Sequence, residues 1–189
     1  MPGFINPRRY PTSTLHTVSP LALFAEPVKS QLDAKVTREG PDKDGRIDFD
    51  QPGRLVGNWF HESLAAQDSG RGAPEIWSKQ LAFVYDVRKP AELRIAIGGT
   101  LAPAGTYAVP VGAPDPAEVG AATGLVKYQL LGPAEDRSRR ALDERQGETG
   151  PGLLLVLVLS DGRLKAECCA GKTPPEVPGF SRAALIYER

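Results

Sequence analysis

The segment LLLVLVLSDGRLKAECC, at residues 153–169, constrains the fold more than any other part of the chain. Two strand-like stretches flank Asp161-Gly162, a dipeptide that readily adopts the positive backbone angles of a tight hairpin turn. The run at residues 153–159 is apolar at every position, so both of its faces need cover. The segment therefore predicts an antiparallel hairpin whose first strand is buried on both sides.

Shorter stretches after residue 45 alternate apolar and polar residues, with the period of two that is typical of half-buried antiparallel strands. The 20 glycines and 18 prolines among 189 residues favour many short elements joined by turns. About eight or nine strands follow one another without alternating helices. This order excludes a doubly wound nucleotide-binding sheet and predicts a mainly β fold, either an antiparallel, calycin-like barrel or a sandwich. The other predicted strands lie around residues 47–49, 55–60, 81–87, 93–97, 107–111, 126–130 and 183–189.

The N-terminal region is expected to differ, with an extended arm at residues 1–18 followed by a single β-rich domain at residues 19–189. Three prolines in the arm lack amide donors and restrict their neighbours, which disfavours a helix there. Such an arm is either a frayed terminus or a segment laid along a partner.

One broken helix is predicted at about residues 20–38. Ser19-Pro20 is a favourable helix start, and Pro27 interrupts the segment that follows. Beyond this proline, apolar residues recur at four-residue spacing, as in an amphipathic helix. The stripe consists of Val28, Leu32 and Val36. This helix is the first candidate to cover the second face of residues 153–159, and a neighbouring subunit is the second.

The balance of charge narrows the classes of function. The chain has 23 basic and 23 acidic side chains, so it lacks the basic excess with which nucleic-acid-binding proteins displace counterions. Zero net charge also leaves self-association unopposed, which is compatible with a homo-oligomer. No stretch approaches the roughly 20 apolar residues of a membrane span, and the proline-rich start is no intact signal peptide. We expect a soluble, cytoplasmic protein, although a processed exported chain would give the same pattern.

The two cysteines, Cys168 and Cys169, are adjacent in sequence. Neighbouring strand residues point to opposite faces, so a disulfide between these two would strain the backbone. We expect two free thiols, one inward and one outward. No helix terminus or basic cluster near them favours a reactive thiolate.

Few residues are suited to catalysis or to metal binding. The acidic stretch at residues 42–50 has its glycine in fourth place and no closing glutamate, which argues against a helix–loop–helix calcium site. His61 is one of two histidines, and Asp86 or Tyr128 is its candidate partner in proton transfer. The sequence shows no motif that gathers metal ligands or holds a cofactor, so we expect neither.

The tripeptide Gly57-Asn58-Trp59 resembles the Gly-x-Trp that opens the first strand of lipocalins and related calycin barrels. About 130 residues of predicted strands follow it, a length that suits such a barrel. The resemblance implies a barrel floor closed by Trp59 beneath an arginine near the last strand, for which Arg182 and Arg189 are the candidates. It also implies an interior that holds a small apolar ligand. The stretches LVGNWF, LAFVYD, RIAIGG and GLVKYQL resemble an uncharacterised bacterial family, which implies no activity.

Three functions remain open from the sequence. The first is a non-enzymatic barrel that binds a small apolar ligand inside. The second is an interaction or structural subunit of a homo- or hetero-oligomer that docks through its N-terminal arm. The third is an isomerase- or cyclase-type enzyme that uses His61 and Asp86 in the barrel cavity; we favour a non-enzymatic role. The residues expected to line or floor the cavity are Trp59, His61, Phe83, Tyr85, Tyr107 and Tyr128.

Overall fold

The computed structural model describes residues 3–65, 74–132 and 150–189. Within them the chain forms eight strands in one strongly curled, half-barrel antiparallel sheet. The strands are β1 Gly57–His61, β2 Gln80–Tyr85, β3 Leu93–Ile97, β4 Gly105–Ala108, β5 Val126–Gln129, β6 Gly152–Val158, β7 Leu164–Ala170 and β8 Leu185–Glu188. Their order in the sheet is β4-β3-β2-β1-β8-β7-β6-β5. The mainly β class and the predicted number of strands are confirmed.

Side chains from all eight strands meet on the inner face of the sheet and form one hydrophobic core. Inward and outward residues alternate, as in β3, where Leu93, Ile95 and Ile97 are buried and the residues between them are not. The two edge strands of the sheet, β4 and β5, approach each other. The Leu131 amide, just after β5, donates a hydrogen bond to the Ala108 carbonyl of β4 at 2.9 Å. The curl thus wraps the sheet around a single interior.

The predicted hairpin is confirmed as β6 and β7, and Gly162 in its turn has a φ of 83°. On the outer face of β6, Leu153 and Leu155 pack with Val177 and Phe180. The segment that follows β7 therefore covers this face, which corrects the expectation that the N-terminal helix would do so. The physical reason is proximity: the chain leaves β7 next to β6 and folds back over it.

Helices are few and short among the described residues. The α-helices are α1 Thr12–Leu15, α2 Val28–Asp33 and α3 Pro74–Trp77, and 3-10 turns occupy Pro7–Arg9, Pro20–Leu23, Ala121–Thr123 and Pro174–Glu176. The broken helix expected at residues 20–38 is present as the turn at Pro20–Leu23 followed by α2, but it ends at Asp33. No residue of α2 is buried, because the helix lies away from the core. None of the described helices is long and apolar enough to cross a membrane.

The N-terminal arm is folded onto the chain's own sheet, which corrects the expectation of an extended arm at residues 1–18. A 3-10 turn and α1 interrupt it. The buried Arg9 guanidinium lies 5.1 Å from the centroid of the Phe60 ring and forms an ion pair with Glu188. Pro11 stands at the N-cap of α1, where a helix needs no amide donor, so this proline permits the helical turn.

Three of the predicted strand segments end two or more residues early or do not form. Strand β4 ends at Ala108, short of the predicted residue 111, and Val111 is 72% exposed. Residues 47–49 are not in a strand. Strand β2 ends at Tyr85, because the Asp86 carboxylate accepts the backbone amides two and three residues further on and turns the chain. Val87 consequently leaves the inner face and is 71% exposed.

Candidate functional site

Four of the six residues expected to line a ligand cavity lie together in the packed core. Trp59, Phe83, Tyr107 and Tyr128 are each at most 3% exposed. The Phe83 and Tyr128 rings are in contact, with their centroids 5.9 Å apart. The hydroxyls of Tyr107 and Tyr128 donate to loop carbonyls at 2.6 and 2.8 Å. Burial raises the pKa of Tyr128 well above its ordinary value.

The other two residues, His61 and Tyr85, are the last residues of β1 and β2. The Nδ1 atom of His61 lies 2.9 Å from the Ser63 hydroxyl oxygen, and its ring meets that of Tyr187 edge-on at 5.5 Å. The Tyr85 hydroxyl donates to Asp115. Burial, together with this carboxylate, raises the pKa of Tyr85.

His61 and Asp86 are not brought together. The His61 amide donates to the Lys79 carbonyl, just before β2, whereas Asp86 follows the other end of that strand. Seven residues at about 3.3 Å each separate these ends by roughly 23 Å. Burial acts to raise the pKa of Asp86, but backbone amides and the Arg94 guanidinium outweigh it and lower the pKa. Tyr128 is the other candidate partner of the histidine, but its hydroxyl donates to the Pro114 carbonyl instead.

A cluster of polar contacts lies where β1 begins and β8 ends. The Trp59 indole Nε1 donates to the Leu55 carbonyl at 2.7 Å. The Arg189 guanidinium lies 3.9 Å from the centroid of the Trp59 ring and donates to four backbone carbonyls within residues 51–58. Of the two arginines considered from the sequence, Arg189 is therefore the one that contacts the tryptophan, and Arg182 is exposed.

The buried carboxylate of Asp50 holds this cluster together. It accepts the Asn58 amide at 2.8 Å and the Tyr10 hydroxyl at 2.8 Å. It also explains the glycine of the Gly-x-Trp tripeptide: Gly57 has a φ of 109°, and a Cβ there would lie 2.3 Å from Asp50 Oδ1. Burial, reinforced by Asp50, raises the pKa of Tyr10. Burial also lowers the pKa of Arg189 to about 10, and the charge of Asp50 opposes this shift.

An open groove of about 340 Å³ lies on the outer face of β1 to β4. Its floor is a row of residues that face one another across the four strands, polar at both ends and small in the middle. These side chains alternate with the core residues along each strand, so they point away from the interior. The row is Asn58, Ala82, Ala96 and Thr106.

Trp77 lines this groove and is 55% exposed. Its position is set by its neighbours, because Ile76 is buried with Phe60 and Leu64 on the outer face of the sheet. Gly98, at the end of β3, allows the backbone to approach closely: a Cβ at this position would lie 1.8 Å from the Trp77 carbonyl oxygen. The indole is thus held on an anchored turn beside the groove.

Among the residues that the structure describes, the twelve that line the groove are all uncharged, although charged residues make up 24% of the chain. The side chains of Gln80 and Thr106 make no hydrogen bond to any other described residue, so both can bind a ligand. The arrangement is suited to a neutral ligand that presents both an apolar face and hydrogen-bonding groups.

Cys168 and Cys169 are free thiols on opposite faces of β7, as predicted. Burial raises the pKa of Cys168 to about 11, and it raises that of Cys169 as well. Thiols that stay protonated at neutral pH are poor nucleophiles. In the described ranges, no group of three or more His, Cys, Asp or Glu side chains is placed to hold a metal ion.

Reasoning from the sequence missed the groove. Trp77 belongs to a stretch between β1 and β2 that lacks the alternation of a strand, and a large aromatic residue there was the only local signal. Nothing in the sequence indicated that the four floor residues form one row. Comparisons of this chain with protein-family models, curated proteins and solved structures find no match.

Proposed function

We propose that this protein is a non-enzymatic binding domain that holds a small uncharged ligand on the outer face of β1 to β4. The observation that carries the proposal is the groove of about 340 Å³ with the exposed indole of Trp77 at its side. Volumes of roughly 300–1,000 Å³ are usual for small-molecule sites. A large aromatic side chain left open to water is enriched at binding surfaces, where it offers apolar area and a polar N–H together.

The packing of the interior favours this outer location over the cavity expected from the sequence. The aromatic side chains of Trp59, Phe83, Tyr107 and Tyr128 occupy the space inside the curled sheet. A ligand of comparable size would have to displace them, and protein cores packed at crystal-like density resist such displacement. The interior therefore serves as a rigid support for the groove.

The polar cluster adds to this support. Asn58 is the first residue of the groove floor, and its backbone amide donates to Asp50 while its carbonyl accepts from Arg189 at 3.2 Å. Both partners are themselves held by other contacts in the cluster. The end of the floor row is thus fixed before any ligand arrives, which reduces the entropic cost of binding.

Backbone-amide NMR of the full chain tests the proposal. Uncharged fragments added to the nitrogen-15-labelled protein should shift the amides of Asn58 and Ala82 and the indole N–H of Trp77. Trp77→Ala should remove these shifts, whereas Val111→Ala, at another exposed apolar residue, should leave them unchanged. Shifts concentrated at core residues such as Tyr128 would refute the outer location, and a groove that responds to no fragment would refute the proposal.

A second candidate function, self-association, is favoured by exposed apolar side chains in the N-terminal region. Four residues within residues 18–28 are between 45% and 75% exposed. They are Val18, Leu23, Phe24 and Val28. Arg9 and Tyr10, earlier in the arm, already pack on the chain's own sheet, so this later segment is the available surface. A second copy of the chain is the proposed partner, because zero net charge opposes no such contact.

Size-exclusion chromatography with light scattering checks this candidate over a range of concentrations. The full chain should form a dimer or a larger oligomer, and Leu23→Ser combined with Phe24→Ser should convert it to a monomer. Val87→Ser combined with Val111→Ser removes exposed apolar area elsewhere and should preserve the oligomer. A full chain that stays monomeric at every concentration excludes self-association.

A further inference from the structure

We infer that the ligand of the groove is a neutral oligosaccharide, one ring of which stacks on Trp77; this inference rests on the proposed function. Three features of the site carry it: an exposed indole, uncharged hydrogen-bonding side chains beside it, and a flat floor of small residues. Each feature matches one property of a sugar chain.

The exposed indole matches the C–H face of a sugar ring. Trp77 is 55% exposed, so a flat ligand can reach its ring. An aromatic ring carries negative charge density on its face, which attracts the weakly positive hydrogens on one side of a pyranose. The hydroxyls around the edge of the sugar stay in water in an open groove. A purely apolar ligand would keep one of its faces in water at such a site, which makes it the poorer occupant.

The polar side chains match the hydroxyls of a sugar. Gln80 offers an acceptor and two donors, and Thr106 offers a hydroxyl that can do both. Neither side chain is hydrogen-bonded to other described residues. The described lining residues carry no charge, which disfavours phosphorylated or carboxylated ligands, because these groups are bound by arginine, lysine or clustered amides. A neutral saccharide remains the ligand class that uses both side chains.

The floor matches a chain rather than a single ring. The row from Asn58 to Thr106 crosses four strands. Three spacings of about 4.8 Å give it a length of roughly 14 Å. Ala82 and Ala96 in the middle leave the surface low, so linked rings can lie along it. An extended peptide is disfavoured along most of the floor, since it binds sheets through unpaired backbone groups and three of the four floor strands, β1 to β3, are paired on both sides; β4 is the edge strand.

Fluorine NMR of the full chain labelled with 5-fluorotryptophan tests the inference. The two tryptophans give two signals, and Trp77→Phe assigns them. Cellotetraose, maltotetraose and tetra-N-acetylchitotetraose are titrated separately, with 1-hexanol as an apolar probe. At least one tetrasaccharide should shift the Trp77 signal, saturably and below roughly 10 mM, and should shift the signal of the buried Trp59 ring far less. Gln80→Ala should weaken this binding by roughly 3- to 10-fold, the loss of about one hydrogen bond. Gln31→Ala, on exposed helix α2, should have no effect.

The outcomes separate the two levels of the proposal. If no tetrasaccharide moves the Trp77 signal while 1-hexanol does, the saccharide inference is overturned and the outer binding site stands. If neither kind of probe moves that signal, both are overturned. Saccharide shifts that persist in Gln80→Ala without loss of affinity, or that appear equally at Trp59, also contradict the inference.

Discussion

Replacement of Arg189 by alanine tests whether the polar cluster at the start of β1 stabilises the fold. The guanidinium donates to the Gln51 carbonyl at 2.8 Å and to the Leu55 and Asn58 carbonyls at 3.2 Å each, and it also bonds the Val56 carbonyl. It covers one face of the buried Trp59 ring. The alanine variant loses these four hydrogen bonds and opens the indole to water; the Leu55 carbonyl keeps the Trp59 indole as a donor, and the Gln51 carbonyl keeps the Arg54 amide.

The expected loss in the free energy of unfolding is about 3 kcal/mol. A hydrogen bond from a charged donor contributes about 1.5–3 kcal/mol, and a cation over an indole about 0.5–2 kcal/mol. These contributions do not add fully, because one guanidinium makes all the contacts and because its removal from water on folding costs free energy. This burial also lowers the pKa of Arg189 to about 10. In a domain of this length, about 3 kcal/mol corresponds to a fall in Tm of roughly 6–12 °C.

Urea unfolding followed by tryptophan fluorescence measures this loss, in a Trp77→Phe background so that Trp59 alone reports. Arg189→Lys keeps the charge but reaches fewer carbonyls, and it should lose about half as much stability. Arg182→Ala removes an exposed arginine near the same terminus and should change the free energy by less than about 0.5 kcal/mol. A loss below about 1 kcal/mol in Arg189→Ala, or one equal to that of the control, would refute the reasoning.

Three further predictions concern other parts of the fold. Gly57→Ala should destabilise the protein by about 2–3 kcal/mol in urea unfolding, because its φ is 109° and Asp50 blocks the new Cβ; Gly179→Ala, with open space around it, should be nearly neutral. All five tyrosines have raised pKa values, mainly through burial, that of Tyr187 reaching about 12 against an ordinary 10.0. The unfolded chain therefore releases tyrosine protons first, so the stability present below pH 10 falls as the pH rises above it. Tyrosinate absorbance near pH 10 should accordingly appear only together with unfolding. Reversible ionisation of a tyrosine near pH 10 in the folded protein contradicts this expectation. Maleimide labelling of the two single cysteine-to-serine variants should be slower at Cys168, the more deeply buried thiol, and equal rates would count against the assigned faces.

The strands were predictable because their signal is local. In β3, buried Leu93, Ile95 and Ile97 alternate with outward residues, and this pattern is readable from five consecutive positions. The hairpin of β6 and β7 needed only its apolar run and the Asp-Gly turn. The strand expected at residues 47–49 does not form, because an alternation of apolar and polar residues does not by itself provide a neighbouring strand to pair with. Val87 was misplaced because the side chain of Asp86 redirects the backbone, an effect that hydrophobic periodicity does not contain.

The candidate sites were predictable to different degrees. Trp59 and an arginine at the end of the chain were named together from the Gly-x-Trp resemblance, and the structure places Arg189 over that ring. The groove was not predictable, because it depends on the register of four strands. It also depends on the close approach of Trp77 to Gly98, residues that lie on different elements. Neither register nor such an approach leaves a pattern among adjacent residues.

The amino-acid sequence by itself determined that this chain forms short antiparallel strands around one apolar interior, since period-two patterning and turn chemistry act between near neighbours. Tertiary structure alone decided three things: that the segment after β7 rather than the N-terminal helix covers β6, that the aromatic side chains of Trp59, Phe83, Tyr107 and Tyr128 are buried in the core, and that a groove lined by uncharged described residues lies outside. Each of these depends on which distant segments meet. That choice is made by the total packing of the chain, which no local pattern records.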